Sequence, residues 1–331
     1  MILAAAETRD IRLDELQRAL ARALPSASIS TQGGPPLERS TATDPPQLAR
    51  ADVIEDAVLR AHDVTGPAEP PFSAFLDGTQ RTDPVAHTAD GAPIVSGVVA
   101  AVIREWTDGG ARTWAHARQH RVYAPRAAMQ AAEWEAVAAL GLTAIDTSAG
   151  DPALADAHPA AHRDAAITQI QNDREQLELQ LAQRWCGDRA DALYVDGGLR
   201  GSVVLARAAQ TVGVIKSHHT LFGDRAARRV IFGLAAGQRT SVFVVASPSK
   251  VPVASWYLRL RDCTGRDPLW GLVRVEVRHD RDAAPADVGA QADRMARRIL
   301  AERTPTAHPD ARWHTMVYGI RDCEVFLKAT Q

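Results

Sequence analysis

Apolar positions recur at two periods along this chain, and the switches between them mark out its elements. Over residues 10–24, Ile11, Leu13, Leu16, Leu20 and Leu24 fall at helical spacing with charges between them. From Pro25 to Pro46 the chain is rich in Ser, Thr, Gly and Pro and reads as a linker. A short helix is expected over 48–62, and Pro67, Pro70 and Pro71 then punctuate the chain. Strands are expected near 72–78, 93–106 and 112–123. The middle one, Pro93 to Ile103, is almost continuously apolar and β-branched, which suits a strand covered on both faces.

Helical spacing returns over 126–140, and again over about 160–186, where Ile167, Ile170, Leu177, Leu181 and Trp185 mark one side. Short strands are expected at 191–196, 210–216 and 240–245, with a helix near 224–236. In Ser255–Arg261, Trp256, Leu258 and Leu260 alternate onto one face, and Gly271–Val277 alternates likewise. Helices at about 285–303 and 317–329 close the chain. The pattern divides the sequence into an N-terminal helical extension with its linker (1–65) and one larger domain (66–331). It predicts an α/β fold with a mixed sheet flanked by helices. Three antiparallel strands, a helix, and then a strand bearing an acid is the order of the ribonuclease H-like fold.

Composition narrows the function only slightly. The 331 residues are 46% hydrophobic and 24% charged, with a formal net charge of -2, so no global basic signal marks a nucleic-acid binder. The three cysteines, Cys186, Cys263 and Cys323, form no CxxC pair and fit a reducing cytoplasm. No run is long and apolar enough for a membrane span, and the first residues lack a basic leader. No P-loop, no GxGxxG after a strand and no G-x-S-x-G elbow is present.

The candidate chemistry lies in two Asp-Gly pairs, Asp77-Gly78 and Asp196-Gly197, each ending a strand-like apolar run. Two edge carboxylates within reach of each other repel unless a cation lies between them. Glu178, bordering the buried side of the long helix, is the expected third ligand, with Glu175 the alternative. Lys216 ends the 212–215 strand and would meet a scissile phosphate. His218 and His219 point to opposite faces of an extended segment, so at most one reaches a site there. On the later strands, Arg239, Arg259 and Arg261 present a basic face for a phosphate backbone, and Trp256 is placed to stack on a base. The C-terminal helix would deliver Tyr318 or a fourth acid, Glu324. These residues describe phosphodiester cleavage assisted by a divalent cation.

In this order, Phe75-Leu76-Asp77-Gly78-Thr79, the Glu-bearing helix, Leu193 to Leu199, Val212 to Lys216, Arg239-Thr240, Ser255 to Leu260 and Gly271 to Glu276 resemble the NurA nuclease family. The resemblance spans about residues 70–330. It implies a ribonuclease H-like core, manganese- or magnesium-dependent DNA cleavage, a homodimer with a central channel, and work with a HerA-type hexameric translocase in DNA end processing. The family's metal ligands carry over onto Asp77, Glu178 and Asp196, and its C-terminal Tyr onto Tyr318. Its catalytic His has no counterpart: Cys323, Glu324, Val325 and Phe326 stand there, with Glu324 the acid in its place. Gly198 stands where Ser is usual. Two alternatives remain beside this: a catalytically silent DNA-binding subunit of a motor ATPase, and a defence-type effector nuclease.

Overall fold

The computed structural model describes residues 11–30, 46–108, 110–247, 250–303 and 313–330, so most of the expected 25–46 linker lies outside the described residues. The layout is set by one long mixed sheet. Helix α1 (Leu13–Ala23) precedes a meander of three long strands, β1 (Ala74–His87), β2 (Pro93–Thr107) and β3 (Gly110–Ala124). Helix α2 (Ala131–Ala138) and strand β4 (Thr143–Asp146) lead to the 30-residue helix α3 (Pro159–Asp188). Strand β5 (Leu193–Asp196), helix α4 (Val203–Arg207), strand β6 (Thr211–Ile215) and helix α5 (Arg225–Gly233) follow. Strands β7 (Phe243–Ser247), β8 (Lys250–Arg259) and β9 (Leu272–Arg278) then precede helices α6 (Pro285–Glu302) and α7 (Tyr318–Ala329).

Across the sheet the order is β7-β8-β9-β6-β5-β1-β2-β3-β4. The meander is antiparallel, while β5 runs parallel to β1, and β6 parallel to β5. The central order β3-β2-β1-β5-β6 is that of the ribonuclease H-like fold, as the succession of patterns predicts. Strand β2 is apolar throughout because it is central: Pro93 to Ile103 are buried without a break. Gly97 sits in it where any Cβ would run into the Tyr123 ring on β3.

Each face of the sheet carries its own core. On one face, Ala166, Ile170, Leu177, Leu181 and Trp185 of α3 pack with Leu205 of α4, Ile231 of α5 and the inward residues Ala74, Leu76 and Val195. On the other, Ile299 of α6 and Ile320, Cys323 and Leu327 of α7 cover Phe75, Tyr194, Val212, Trp256 and Leu258. A third cluster joins Leu16 and Leu20 of α1 to Val85, Ile94 and Val122, closing the far end of the meander.

The helix expected over 48–62 does not form. Short strands at Gln47–Ala49, Asp52–Val53 and Ala61–Asp63 replace it, and the last two join the sheet. The reason is tertiary: Glu55 grips the buried Arg239 guanidinium at 2.7 Å and accepts from Val242 N at 2.9 Å. Asp293 Oδ1, 2.6 Å from Arg239 Nε, completes the arrangement. Arg239→Met leaves Glu55 buried without its cation. The expected loss is about 3–5 kcal/mol of stability, read as a lower urea midpoint.

Candidate active site

The parallel pairing of β5 with β1 decides which side chains meet. Leu76 lies opposite Val195, so Asp77 and Asp196 come next, side by side, where the two strands part. Both follow residues that alternate onto the α7 side, Phe75 and Tyr194. Gly78 N donates to Asp77 Oδ1 at 2.9 Å. Lys216, just past the end of β6, places Nζ 2.7 Å from Asp196 Oδ2.

Glu178 arrives from the opposite face. It sits on α3 directly over Gly78, and a Cβ at that position would collide with its Oε1. The glycine is therefore required by close approach, and it lets a helix carboxylate reach β1, which continues to His87 instead of ending at the Asp-Gly pair as expected. Arg174, one turn earlier on α3, is ion-paired with Glu178. Glu175 is more exposed and pairs loosely with Arg174 at 3.7 Å. The structure thus brings Asp77, Glu178, Asp196 and Lys216 together, and favours Glu178 over Glu175.

The electrostatics of the cluster are those of crowded carboxylates. Burial pushes Asp77 up to about 7; the Asp196 charge adds to this, Lys216 opposes it and Glu178 adds further. Glu178 is likewise pushed up to about 7 by burial, against Arg174 and with help from Glu175 and Asp196. Three partly buried carboxylates with only Lys216 and Arg174 to balance them are a donor set for a hard divalent cation. Asp77, Asp196 and Glu178 have the donor chemistry for that role, and burial raises the cost of ionising Asp77 and Glu178, but their ligand atoms do not all lie within 4.8 Å of one another, so the three would have to draw together around a cation.

Other expected residues lie elsewhere. Tyr318 is about half exposed and stacks near Trp106 (5.4 Å), whose N bonds Ser73 O, four residues before Asp77 and so about 13 Å along the strand. The α7 residue turned to β1 is Cys323, buried with Sγ 3.4 Å from Phe75 O, its thiol held high by burial and by the Asp77 charge. Glu324, about 100° further round the helix, pairs with Arg321 at 3.1 Å. Asp322 pairs with Arg104 at 2.6 Å.

The basic face expected on the later strands is corrected. Trp256, Leu258 and Leu260 share one covered face as expected, but the strand ends at Arg259, so Arg261 does not continue the alternation. Arg259 is fully buried and donates to the carbonyls of Leu234 (3.2 Å) and Trp270 (2.6 Å). Arg239 is the buried partner of Glu55, Arg261 bonds Arg303 O at 2.5 Å, and Trp256 is a core residue. Arg239, Arg259 and Trp256 are buried and present no surface to DNA, and Arg261 is partly buried against Arg303. His218 is also turned inward, its Nε2 3.0 Å from Leu272 O. Glu276 is buried, bound to Arg274 at 2.6 Å and to Leu199 N at 2.9 Å.

Sequence reasoning missed a second acidic cluster. Glu55, Asp56 and His62 offer ligand atoms within 4.8 Å of one another, a set that could hold a metal ion. Its charges already have protein partners. Glu55 holds Arg239, while Asp56 binds His62 Nε2 at 2.7 Å, Ser241 Oγ at 2.7 Å and Arg60. Burial pushes Asp56 up, yet the bonds from Ser241, His62 and Arg60 hold it below its usual value, the reverse of Asp77. Nothing in the local sequence announces this cluster, because its organising cation lies about 180 residues away.

No protein-family model and no curated protein sequence matches the chain. Among solved structures it is similar to the NurA nuclease from Sulfolobus solfataricus, at 11% identity and a TM-score of 0.45, over 82% of this chain and 86% of that one. No described helix is long and apolar enough to cross a membrane.

The raised carboxylates carry a pH signature. Asp77 titrates near 7 when folded against 3.8 unfolded, so folding takes up a proton between those values. Stability from this group is complete below about pH 4 and is lost as pH rises through about 7. In chelator, Asp77→Asn should therefore gain thermal stability over wild type from pH 5 to pH 8. Melting curves in which the difference stays flat would refute the assignment.

Proposed function

We propose that the protein is a divalent-metal-dependent deoxyribonuclease that hydrolyses phosphodiester bonds at the Asp77–Glu178–Asp196 cluster. The observation that supports this most is the strand register that sets Asp77 beside Asp196 in a ribonuclease H-like sheet with Glu178 over Gly78, where burial pushes Asp77 and Glu178 up to about 7. Carboxylates held in that state gain more from a divalent cation than from any neutral ligand. Asp77, Asp196 and Glu178 would hold Mn²⁺ or Mg²⁺, which supplies Lewis acidity and a bound water of lowered pKa. Lys216, 2.7 Å from Asp196, brings positive charge to the non-bridging oxygens of the scissile phosphate. Arg174 keeps Glu178 aimed over Gly78.

A HerA-type hexameric ATPase and a second copy of this chain are the proposed partners. The chain has no P-loop pattern, so movement along DNA would come from a separate motor. One observation favours the silent-subunit reading: α7 turns Cys323, not a histidine, toward β1.

The test is cleavage of end-labelled single- and double-stranded DNA in manganese, magnesium or chelator. Wild type should cleave only with metal. Asp77→Asn, Asp196→Asn and Glu178→Gln should each lose at least about 100-fold in rate, while Glu175→Gln stays close to wild type. Wild-type protein that is inert with both metals, alone and with the ATPase, would leave the silent subunit as the function.

A further inference from the structure

We propose that Arg200, with Lys250 beside it, forms a phosphate-binding subsite that holds the nucleic-acid strand next to the carboxylate cluster. The assignment rests on the nuclease reading above and names the contact that secures its substrate. Two members of the cluster, Glu178 and Asp196, line a cavity of about 490 Å³ whose wall also includes Arg200, Lys250 and Arg274. That volume suits a bound nucleotide unit.

The cations around this cavity are of two kinds. Arg174 is ion-paired with Glu178, and Arg274 with Glu276 at 2.6 Å, so both are already neutralised. Arg200 has neither an ion pair nor a side-chain hydrogen bond among the described residues, and its Nε is buried with no acceptor; Lys250, in the same cavity wall, is exposed. A guanidinium in that condition, beside an open cavity, is short of an anion. Burial holds its pKa below the usual value; Glu276 opposes this and Arg274 reinforces it. A phosphate would restore the balance.

Local backbone structure aims Arg200 there. It lies in Gly197-Gly198-Leu199-Arg200-Gly201, the loop leaving β5 directly after Asp196. Gly197 has a φ of 145°, and a Cβ on Gly198 would stand 3.1 Å from Glu276 Oε2. Leu199 is fully buried and its N donates to the same oxygen at 2.9 Å. The loop is pinned one residue before Arg200, which fixes a cation four residues past a proposed metal ligand. Phosphate contacts of this kind set register without reading sequence.

The experiment measures steady-state cleavage of a labelled single-stranded oligonucleotide in manganese from low to moderate NaCl. It compares wild type, Arg200→Gln, Arg200→Lys, Lys250→Gln and, as a control on α1, Arg18→Gln. Arg200→Gln should raise KM about tenfold, leave kcat within about threefold, and lower the slope of log KM against log salt by about one. Arg200→Lys should recover the slope, Lys250→Gln should act in the same direction, and Arg18→Gln should change nothing. An active wild type with KM and salt slope unchanged in Arg200→Gln and Lys250→Gln overturns the subsite while leaving the nuclease intact. Loss of kcat alone overturns it too. An inactive wild type overturns the nuclease reading and this assignment with it.

Discussion

Three carboxylates that repel one another at the end of a parallel strand pair are the constraint around which this structure is arranged. Asp77 and Asp196 are forced side by side by the register of β1 and β5, and Glu178 is brought over them by α3. Burial raises the cost of ionising Asp77 and Glu178, and the Asp196 charge raises it further for both. Lys216 and Arg174 offset only part of that cost. A protein that needed only stability at this point would have placed neutral residues there. The arrangement is strained for ionised carboxylates and suited to a cation.

The rest of the fold keeps that crowding in place. The long helix α3 is anchored over the meander by Ile170, Leu177, Leu181 and Trp185, so Glu178 cannot swing away without uncovering the core. Trp185 Nε1 donates to Asp191 O at 3.0 Å, tying the end of α3 to the start of β5. On the opposite face α7 packs Ile320, Cys323 and Leu327 against the strand that carries Asp77. The Glu55–Arg239–Asp293 arrangement secures the far side of the sheet, where the chain before β1 is woven in. The contrast between the two acidic clusters is instructive: one is balanced by its own protein, the other is not.

Much of this was legible in the chain. The period-2 runs and the helical stripe of α3 located β2, β3, α3, β5 and β6 closely, because their apolar faces are simple, whereas β1 runs to His87, nine residues past its expected end. Asp77 and Asp196 stood out because a carboxylate followed by glycine ends an apolar run. Glu178 followed from its place beside Leu177 and Leu181. What failed had longer-range causes. Residues 48–62 carry helix-compatible spacing, but Glu55 and Asp56 answer to Arg239 and Ser241 far along the chain. Alternation assigned Arg259 and Arg261 to one face, but the strand ends at Arg259: Arg259 turns to the carbonyls at the end of α5 and Arg261 to Arg303 at the end of α6. Tyr318 and Glu324 lie on the expected helix, where Tyr318 packs near Trp106 and Glu324 pairs with Arg321. Arg200 went unremarked because an arginine in a glycine-rich loop looks like any surface charge until its missing partners are seen.

The account's central claim is that the repulsion at Asp77, Glu178 and Asp196 is relieved by a divalent cation. Calorimetric titration of Mn²⁺ into metal-free protein at pH 6 and pH 8 tests it most directly, with Asp77→Asn and Asp56→Asn as the paired variants. The account predicts binding to wild type that releases protons at pH 6 and few at pH 8, since two ligands titrate near 7. It predicts loss of that binding in Asp77→Asn and its retention in Asp56→Asn. Binding that survives in Asp77→Asn and disappears in Asp56→Asn would place the metal at the wrong cluster and contradict the account.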